Sequence, residues 1–181
     1  MTEPTLLGLC GSLRAGALNR RLLAEARRHF GAARHLEGDL RLPLYDGDLE
    51  AADGIPATVL HLADQIREAD AIVIASPEYN KGVTGVMKNA LDWISRVEGA
   101  VLRDKPVAVI SANAGRTGGE TGQYMLRACL VPLGPQVLTH PMVMVAGGET
   151  EFDAEGRLAS PRYGKALATL MGHLRAAAEM R

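Results

Sequence analysis

Apolar positions along the chain follow two alternating rhythms. Short unbroken runs stand at Thr5 to Cys10 (TLLGLC), Ala71 to Ala75 (AIVIA), Pro106 to Ser111 (PVAVIS) and Pro141 to Ala146 (PMVMVA). Runs of that length and β-branched content suit strands buried on both faces, which points to a parallel sheet. Arg34 to Leu40 is a weaker strand candidate, interrupted by Gly38. Between the runs the apolar period turns helical. Leu18, Leu22, Ala26 and Phe30 share one face. Val59, Ala63 and Ile66 share another, behind a Pro56 suited to a first turn. Val83, Met87, Ala90, Leu91 and Ile94 make a third. Helices over about Glu120 to Leu130 and at the C-terminus, the latter carrying Tyr163, Leu167, Leu170, Met171 and Leu174, complete the set. Leu42 to Ile55 and Gly147 to Ser160 read as loops.

Five strands alternating with five helices predict an α/β fold with helices on both faces of a parallel sheet. Right-handed crossovers leave few topologies, of which the strand order 2-1-3-4-5 leads. No repeat, low-complexity segment or linker interrupts the pattern, so residues 1–181 are expected to form a single domain.

Composition narrows the function classes. Hydrophobic residues make up 47% and charged residues 23%, as in ordinary globular proteins. A formal net charge of -1 gives no reason to expect nucleic acid or an anionic membrane as partner. No apolar run nears the roughly 18 residues of a membrane span. The first residues, Met-Thr-Glu-Pro, lack the pattern of a signal peptide. Cys10 and Cys129 both sit in apolar patterns and are expected as buried thiols, which favours a reducing, cytoplasmic setting.

Candidate chemistry gathers in the loops that follow the strands, where open α/β sheets bind ligands. In the first, Gly11 to Asn19 (GSLRAGALN), glycines precede a helix whose amides and dipole favour an anion, and Ser12, Arg14 and Asn19 add donors. It matches neither G-x-G-x-x-G nor the Walker pattern. In the second, Ser76 to Gly82 (SPEYNKG), backbone amides with Tyr79 and Asn80 suit the edge of a planar heterocycle, the alternative being that Tyr79 packs and Asn80 caps the next helix. Glu78 is read as a solvent or subunit-contact residue rather than an acid or base. The third, Ala112 to Gly119, holds Asn113, Gly115 and Arg116 but no nucleophile. His-Glu-x-x-His, CxxC and G-x-S-x-G are all absent, and the five histidines are scattered, so no metal site or catalytic triad is expected. A site with binding groups and no catalytic group suits a cofactor that carries the chemistry itself.

GSLRAGALN, PEYNKGVTGVMKNALDWISR and the KPVAVI strand with its glycine-rich loop resemble the NADPH-dependent FMN reductase family, which includes FMN, quinone and chromate reductases. The resemblance runs from about Leu6 to Gly148. It implies a flavodoxin-like three-layer sandwich, bound FMN, and NADPH or NADH as co-substrate. Carried over by position, Ser12, Leu13, Arg14, Gly16, Ala17, Leu18 and Asn19 would hold the phosphate, with Ser12, Arg14 and Asn19 as side-chain donors. Pro77, Glu78, Tyr79 and Asn80 would hold the ring, largely through backbone groups, and Asn113 and Gly115 would close the other side. No residue need act as a covalent or acid–base catalyst. The family's usual course is two half-reactions, hydride to flavin and then electrons to a quinone, free flavin or similar acceptor. The competing reading is a non-enzymatic flavin-binding electron carrier or regulatory module. Only 4% aromatic residues and no acidic run at the loops favour an open, enzymatic site.

The chain also departs from the family pattern. Ala17 replaces a common Ser, and Gly82 and Thr84 replace a Ser and a Pro. Lys81, Thr121 and Met142 stand where chromate- and quinone-reductase-like members carry Tyr, Arg and Glu, while Tyr124 is retained. Those groups serve a tetramer contact in the family, so a homodimer is expected before a tetramer. Trp93 and Met87 are candidate interface residues, with core packing as the alternative.

Overall fold

The computed structural model describes residues 3–180; Met1 and Thr2, read above for a leader, lie outside them. The sheet contains β1 (Thr5–Cys10), β2 (Arg34–Gly38), β3 (Ala71–Ala75), β4 (Pro106–Ala112), β5 (Gln136–Val137) and β6 (Val143–Val145), all paired in parallel in the order β2-β1-β3-β4-β5, with β6 also on β4. The predicted order 2-1-3-4-5 is therefore present, with its fifth place filled by two short segments. β5 pairs with the start of β4 at Pro106 and Val107, and β6 pairs with its end from Ile110 to Ala112. The single strand expected over Pro141 to Ala146 is corrected to this split edge.

Each inner strand is apolar on both sides, and alternate residues feed two cores. Leu7, Leu9, Ile72, Ile74, Val107 and Val109 face α3 (Ala57–Glu68), α4 (Gly85–Ile94) and α5 (Glu120–Leu130). Leu6, Cys10, Val73, Ile110 and Val143 face α1 (Leu18–Phe30) and α6 (Pro161–Glu179). This is a three-layer α/β/α sandwich. Gly38, where β2 ends, sits so close to Leu9 and Leu62 that a Cβ there would lie 2.8 Å from the Leu62 Cδ1.

Two further expectations are corrected. The Leu42 to Ile55 loop contains a sixth helix, α2 (Gly47–Asp53), capped by Asp46, whose side chain accepts from the Asp48 amide. None of its residues is buried, so it carries no apolar stripe for periodicity to reveal. Trp93 and Met87 are 1% and 0% exposed and belong to the core, not to an interface. Trp93 instead straps the preceding segment to α4. Its Nε1 donates to the Pro43 carbonyl at 2.8 Å, Asn89 Nδ2 donates to the same oxygen at 2.9 Å, and Asn89 Oδ1 accepts from the Tyr45 amide.

Candidate functional site at the strand ends

β1, β3 and β4 deliver their C-terminal loops to one edge of the sheet. Gly11 donates its amide to Ala75 O and lies against Ser76, so close that a Cβ would stand 2.8 Å from that of Ser76. A side chain at position 11 would separate the first two loops. The cavity between the loops, about 230 Å³, is lined by Ser12, Arg14, Ala17, Leu18, Asn19, Pro77, Tyr79, Ala112, Asn113 and Ala114.

One end of the cavity is built for an anion. α1 starts there with Ala17 as N-cap, without a side-chain cap and without an acidic residue in its first turn. The amides of Leu18 and Asn19 find no acceptor among the described residues. Ser12 is buried, and Arg14 is exposed at the rim. Gly16 is also at the rim with open space beyond its Cα, so tight turning does not explain the glycine there.

Asn19 does not match its expected role. Its Nδ2 donates to Ala112 O at 2.8 Å and its Oδ1 accepts from Ala112 N at 3.0 Å, with the side chain buried. The reason lies in the sheet. The last β3–β4 pair is Ala75 with Ile110, and the Ser76 amide reaches Ile110 O before the chain turns away at Pro77. On its β3 side the Ala112 backbone therefore has no strand beside it, β6 lying on the other side, and the Asn19 amide takes that place. The side-chain phosphate donor is corrected to a clamp, while the Asn19 backbone amide stays in the cavity.

The other end presents the second loop as a two-residue hairpin. Tyr79 and Gly82 exchange backbone hydrogen bonds at 3.0 and 3.1 Å, with Asn80 and Lys81 between them at φ 51° and 65°. Both central residues at positive φ define the tight I′-type turn. Tyr79 is 54% exposed, so it does not pack, and its hydroxyl lies 3.5 Å from Ser12 Oγ across the cavity. Asn80 is a turn residue, not a helix cap. Thr84 caps α4 instead, accepting from the Met87 amide. Gly82 leaves room for Met125, whose sulfur would lie 3.0 Å from a Cβ at that position. Two of the departures from the family pattern thus have local reasons.

Glu78 neither points to solvent nor is placed as an acid or base. Its backbone N–H donates to Asn113 Oδ1 and its carbonyl accepts from Asn113 Nδ2, both at 2.9 Å. Its carboxylate accepts from the Gly122 amide in the first turn of α5 at 3.0 Å, and Lys81 approaches to 3.5 Å. The expected surface role is corrected. Gly115 is exposed in the third loop and Leu13 faces a neighbouring groove with Leu42, Pro43 and Val86, so neither lines the cavity. Ala112 and Ala114 do line it, and sequence reasoning missed them because a methyl group carries no chemical signal. At the end of β1, burial first of all raises the Cys10 thiol above its ordinary value, which makes it a poor nucleophile. Among the described residues no group of His, Cys, Asp and Glu could hold a metal ion. A larger cavity of about 470 Å³ between α4 and α5 contains the Lys88–Asp92 ion pair and mostly apolar walls.

A parallel sheet in this order, with an anion-receptive helix start facing an exposed aromatic hairpin, defines a flavodoxin-like protein with its site at the strand ends. The profile of the NADPH-dependent FMN reductase family matches residues 4–150, and the chain belongs to that family. It is 43% identical over 155 residues to an NAD(P)H-dependent FMN reductase of Pseudomonas aeruginosa, covering 84% of this chain and 83% of that one. It is 42% identical over 139 residues to a quinone reductase of Escherichia coli, covering 75% and 74%. Among solved structures, the flavoenzyme NAD(P)H:(acceptor) oxidoreductase FerB of Paracoccus denitrificans superposes with a TM-score of 0.87 at 28% identity, over 98% of both chains. The chain is thus an oxidoreductase of a family that works with FMN and a nicotinamide nucleotide. Its residues fit that cofactor: the uncapped α1 amides, Ser12 and Arg14 match a phosphate, and Pro77 and the exposed Tyr79 across the cavity match a flat ring.

Proposed function

We propose that the chain moves hydride from NADPH or NADH to a quinone, free flavin or similar small acceptor, in two half-reactions that share one cleft. The observation that carries this reading is the meeting of the free α1 amides and the Tyr79 hairpin across a single open cavity. When bound, FMN supplies the hydride chemistry, accepting at the ring and delivering from it. The protein binds, orients and shields. Ser12, the Arg14 guanidinium and the amides of Leu18 and Asn19 hold the phosphate, with Leu13, Gly16 and Ala17 shaping that loop. Pro77, Glu78, Tyr79 and Asn80 present the ring loop, and Asn113 with Ala114 bounds its far side. No side chain here moves a proton, in keeping with a Glu78 carboxylate engaged by an amide.

Two relatives, one named for FMN reduction and one for quinone reduction, support the acceptor class. The test is a steady-state acceptor panel with both nicotinamides on FMN-loaded protein. Protein that neither binds added FMN nor oxidises NAD(P)H in the presence of a quinone refutes the reading.

We also propose a homodimer, now through the outer side of α5 and the turn after it. Tyr124, Met125 and Val131 are 54%, 49% and 77% exposed there, and Val131 directly precedes Pro132 and Leu133, which line the apolar cavity between α4 and α5. Sedimentation of the protein and of Val131→Asp checks this, and a monomeric wild type refutes it. Residues 1–181 are taken as one domain because both cores share one sheet. With Cys10 and Cys129 both free, and no helix among the described residues long and apolar enough to cross a membrane, we assign the protein to the cytoplasm.

A further inference from the structure

The ring loop has few donors left for a ligand. Pro77 has no N–H, the Glu78 amide is bound by Asn113, and the Tyr79 amide is bound within the hairpin. The amides of Asn80 and Lys81 have no acceptor among the described residues. These two donors sit at the tip of a hairpin with no strand beyond it, so their position depends on what holds its base.

Asn113 holds the backbone of Glu78 from the β4 side. The Glu78 side chain, 9% exposed, reaches the opposite way to the Gly122 amide at the start of α5. Gly119, the residue before that helix, carries no side chain to cap it, and a Cβ there would press on Ser111 and Asn113 at 3.0–3.1 Å. A Cβ on Gly122 would lie 3.0 Å from that of Glu78. The two glycines leave room for a carboxylate from another loop, and the helix dipole favours that charge. A third link joins the same parts: the Val83 amide, just past the hairpin, meets the Met125 sulfur on α5 at 3.4 Å.

We infer that Glu78 is a positioning residue that locks the ring loop to the first turn of α5 and thereby sets where the Asn80 and Lys81 amides meet the flavin. The inference rests on the flavin reading above. It adds that α5, which does not line the cavity, controls affinity for the ring and its electronic state. Charge-assisted hydrogen bonds are about twice as strong as neutral ones, which suits a fixed mount.

The test compares Glu78→Ala and Glu78→Gln with wild type in three readouts: FMN affinity, the visible spectrum and reduction potential of bound flavin, and hydrogen exchange of the Gly122 amide in the apoprotein. Gln keeps an oxygen for the Gly122 amide; Ala does not. Expected are an FMN affinity roughly 10-fold weaker in Glu78→Ala, about 1.4 kcal/mol, with a shifted potential and a faster-exchanging Gly122, and values partly restored in Glu78→Gln, which keeps the acceptor oxygen but not the charge. Should Glu78→Ala fail to fold, Glu78→Asp, one methylene too short to keep this bond, replaces it. Wild-type affinity and potential in the shortened variant, or equal losses in the Gln variant, overturn the inference while leaving the flavin reading intact. Failure of the wild type itself to bind FMN overturns both.

Discussion

Replacing Asn19 by Ala separates two roles that resemblance and structure assign to the same side chain. In the structure its amide bridges both backbone groups of Ala112, and both residues are 2% exposed. Truncation leaves one buried N–H and one buried C=O without partners. Each such group costs about 1–3 kcal/mol, and water entering from the adjoining cleft offsets part of that. Alanine's better helix propensity recovers only a few tenths of a kcal/mol. The net loss is about 2–4 kcal/mol, which for a chain of this size lowers the melting temperature by roughly 5–15 °C. The assay is thermal and urea unfolding of the apoprotein, with FMN titration of the same variant. If the side chain were chiefly a phosphate ligand, apoprotein stability would hardly change and FMN affinity would fall. An apoprotein melting within about 2 °C of wild type, with FMN binding at least tenfold weaker, would refute the clamp.

Gly11→Ala pushes the first loop against Ser76 and should cost about 1–3 kcal/mol by overpacking, along with weaker FMN binding; unchanged melting and affinity would show that the loops separate freely. Trp93→Phe removes one donor from Pro43 O but leaves that of Asn89, and it vacates part of a buried site, so a loss of about 1.5–3 kcal/mol is expected by chemical denaturation, with the sedimentation coefficient unchanged. A change of oligomeric state in that variant would restore Trp93 to the interface. Glu50 is held below the ordinary carboxylate value, first by its hydrogen bond from Arg96 and also by that from Tyr45. A folded pKa lowered in this way contributes stability that is complete above the unfolded value and lost as pH falls through the folded one. The stability gap between wild type and Glu50→Gln should therefore hold at pH 7 and close below about pH 4; a gap that persists in acid contradicts this.

The inner strands and most of their helices were legible because each leaves a local pattern: unbroken apolar runs for β1, β3 and β4, and 3.6-residue periods for α1, α3, α4 and α6. The chemistry of the three loops was legible too, since glycine, proline and asparagine clusters mark turns at strand ends. What escaped depends on distance or on the lack of burial. Asn19 finds its partner 93 residues away, and Glu78 finds Gly122 44 residues away; no local spacing encodes either. α2 buries nothing, so its formation depends on Asp46 and on the strap from Asn89 and Trp93. β5 has two residues and β6 three, too few to show alternation. For Trp93 the sequence leaves core and interface both open, because an apolar helix face looks the same whether it meets a core or a second copy.

The overhang of β4 beyond β3 has a consequence for how such a protein can diversify. The ladder ends in a step, and Asn19 closes the step from a helix rather than from the loops above it. The floor of the cleft is thus anchored independently of most of its rim. Residues such as Lys81, Thr121 and Arg116 can be exchanged without disturbing the strands beneath. Change among such exposed residues is open to this architecture at little cost in folding, whereas Asn19 and Gly11 sit where substitution strains the sheet's end.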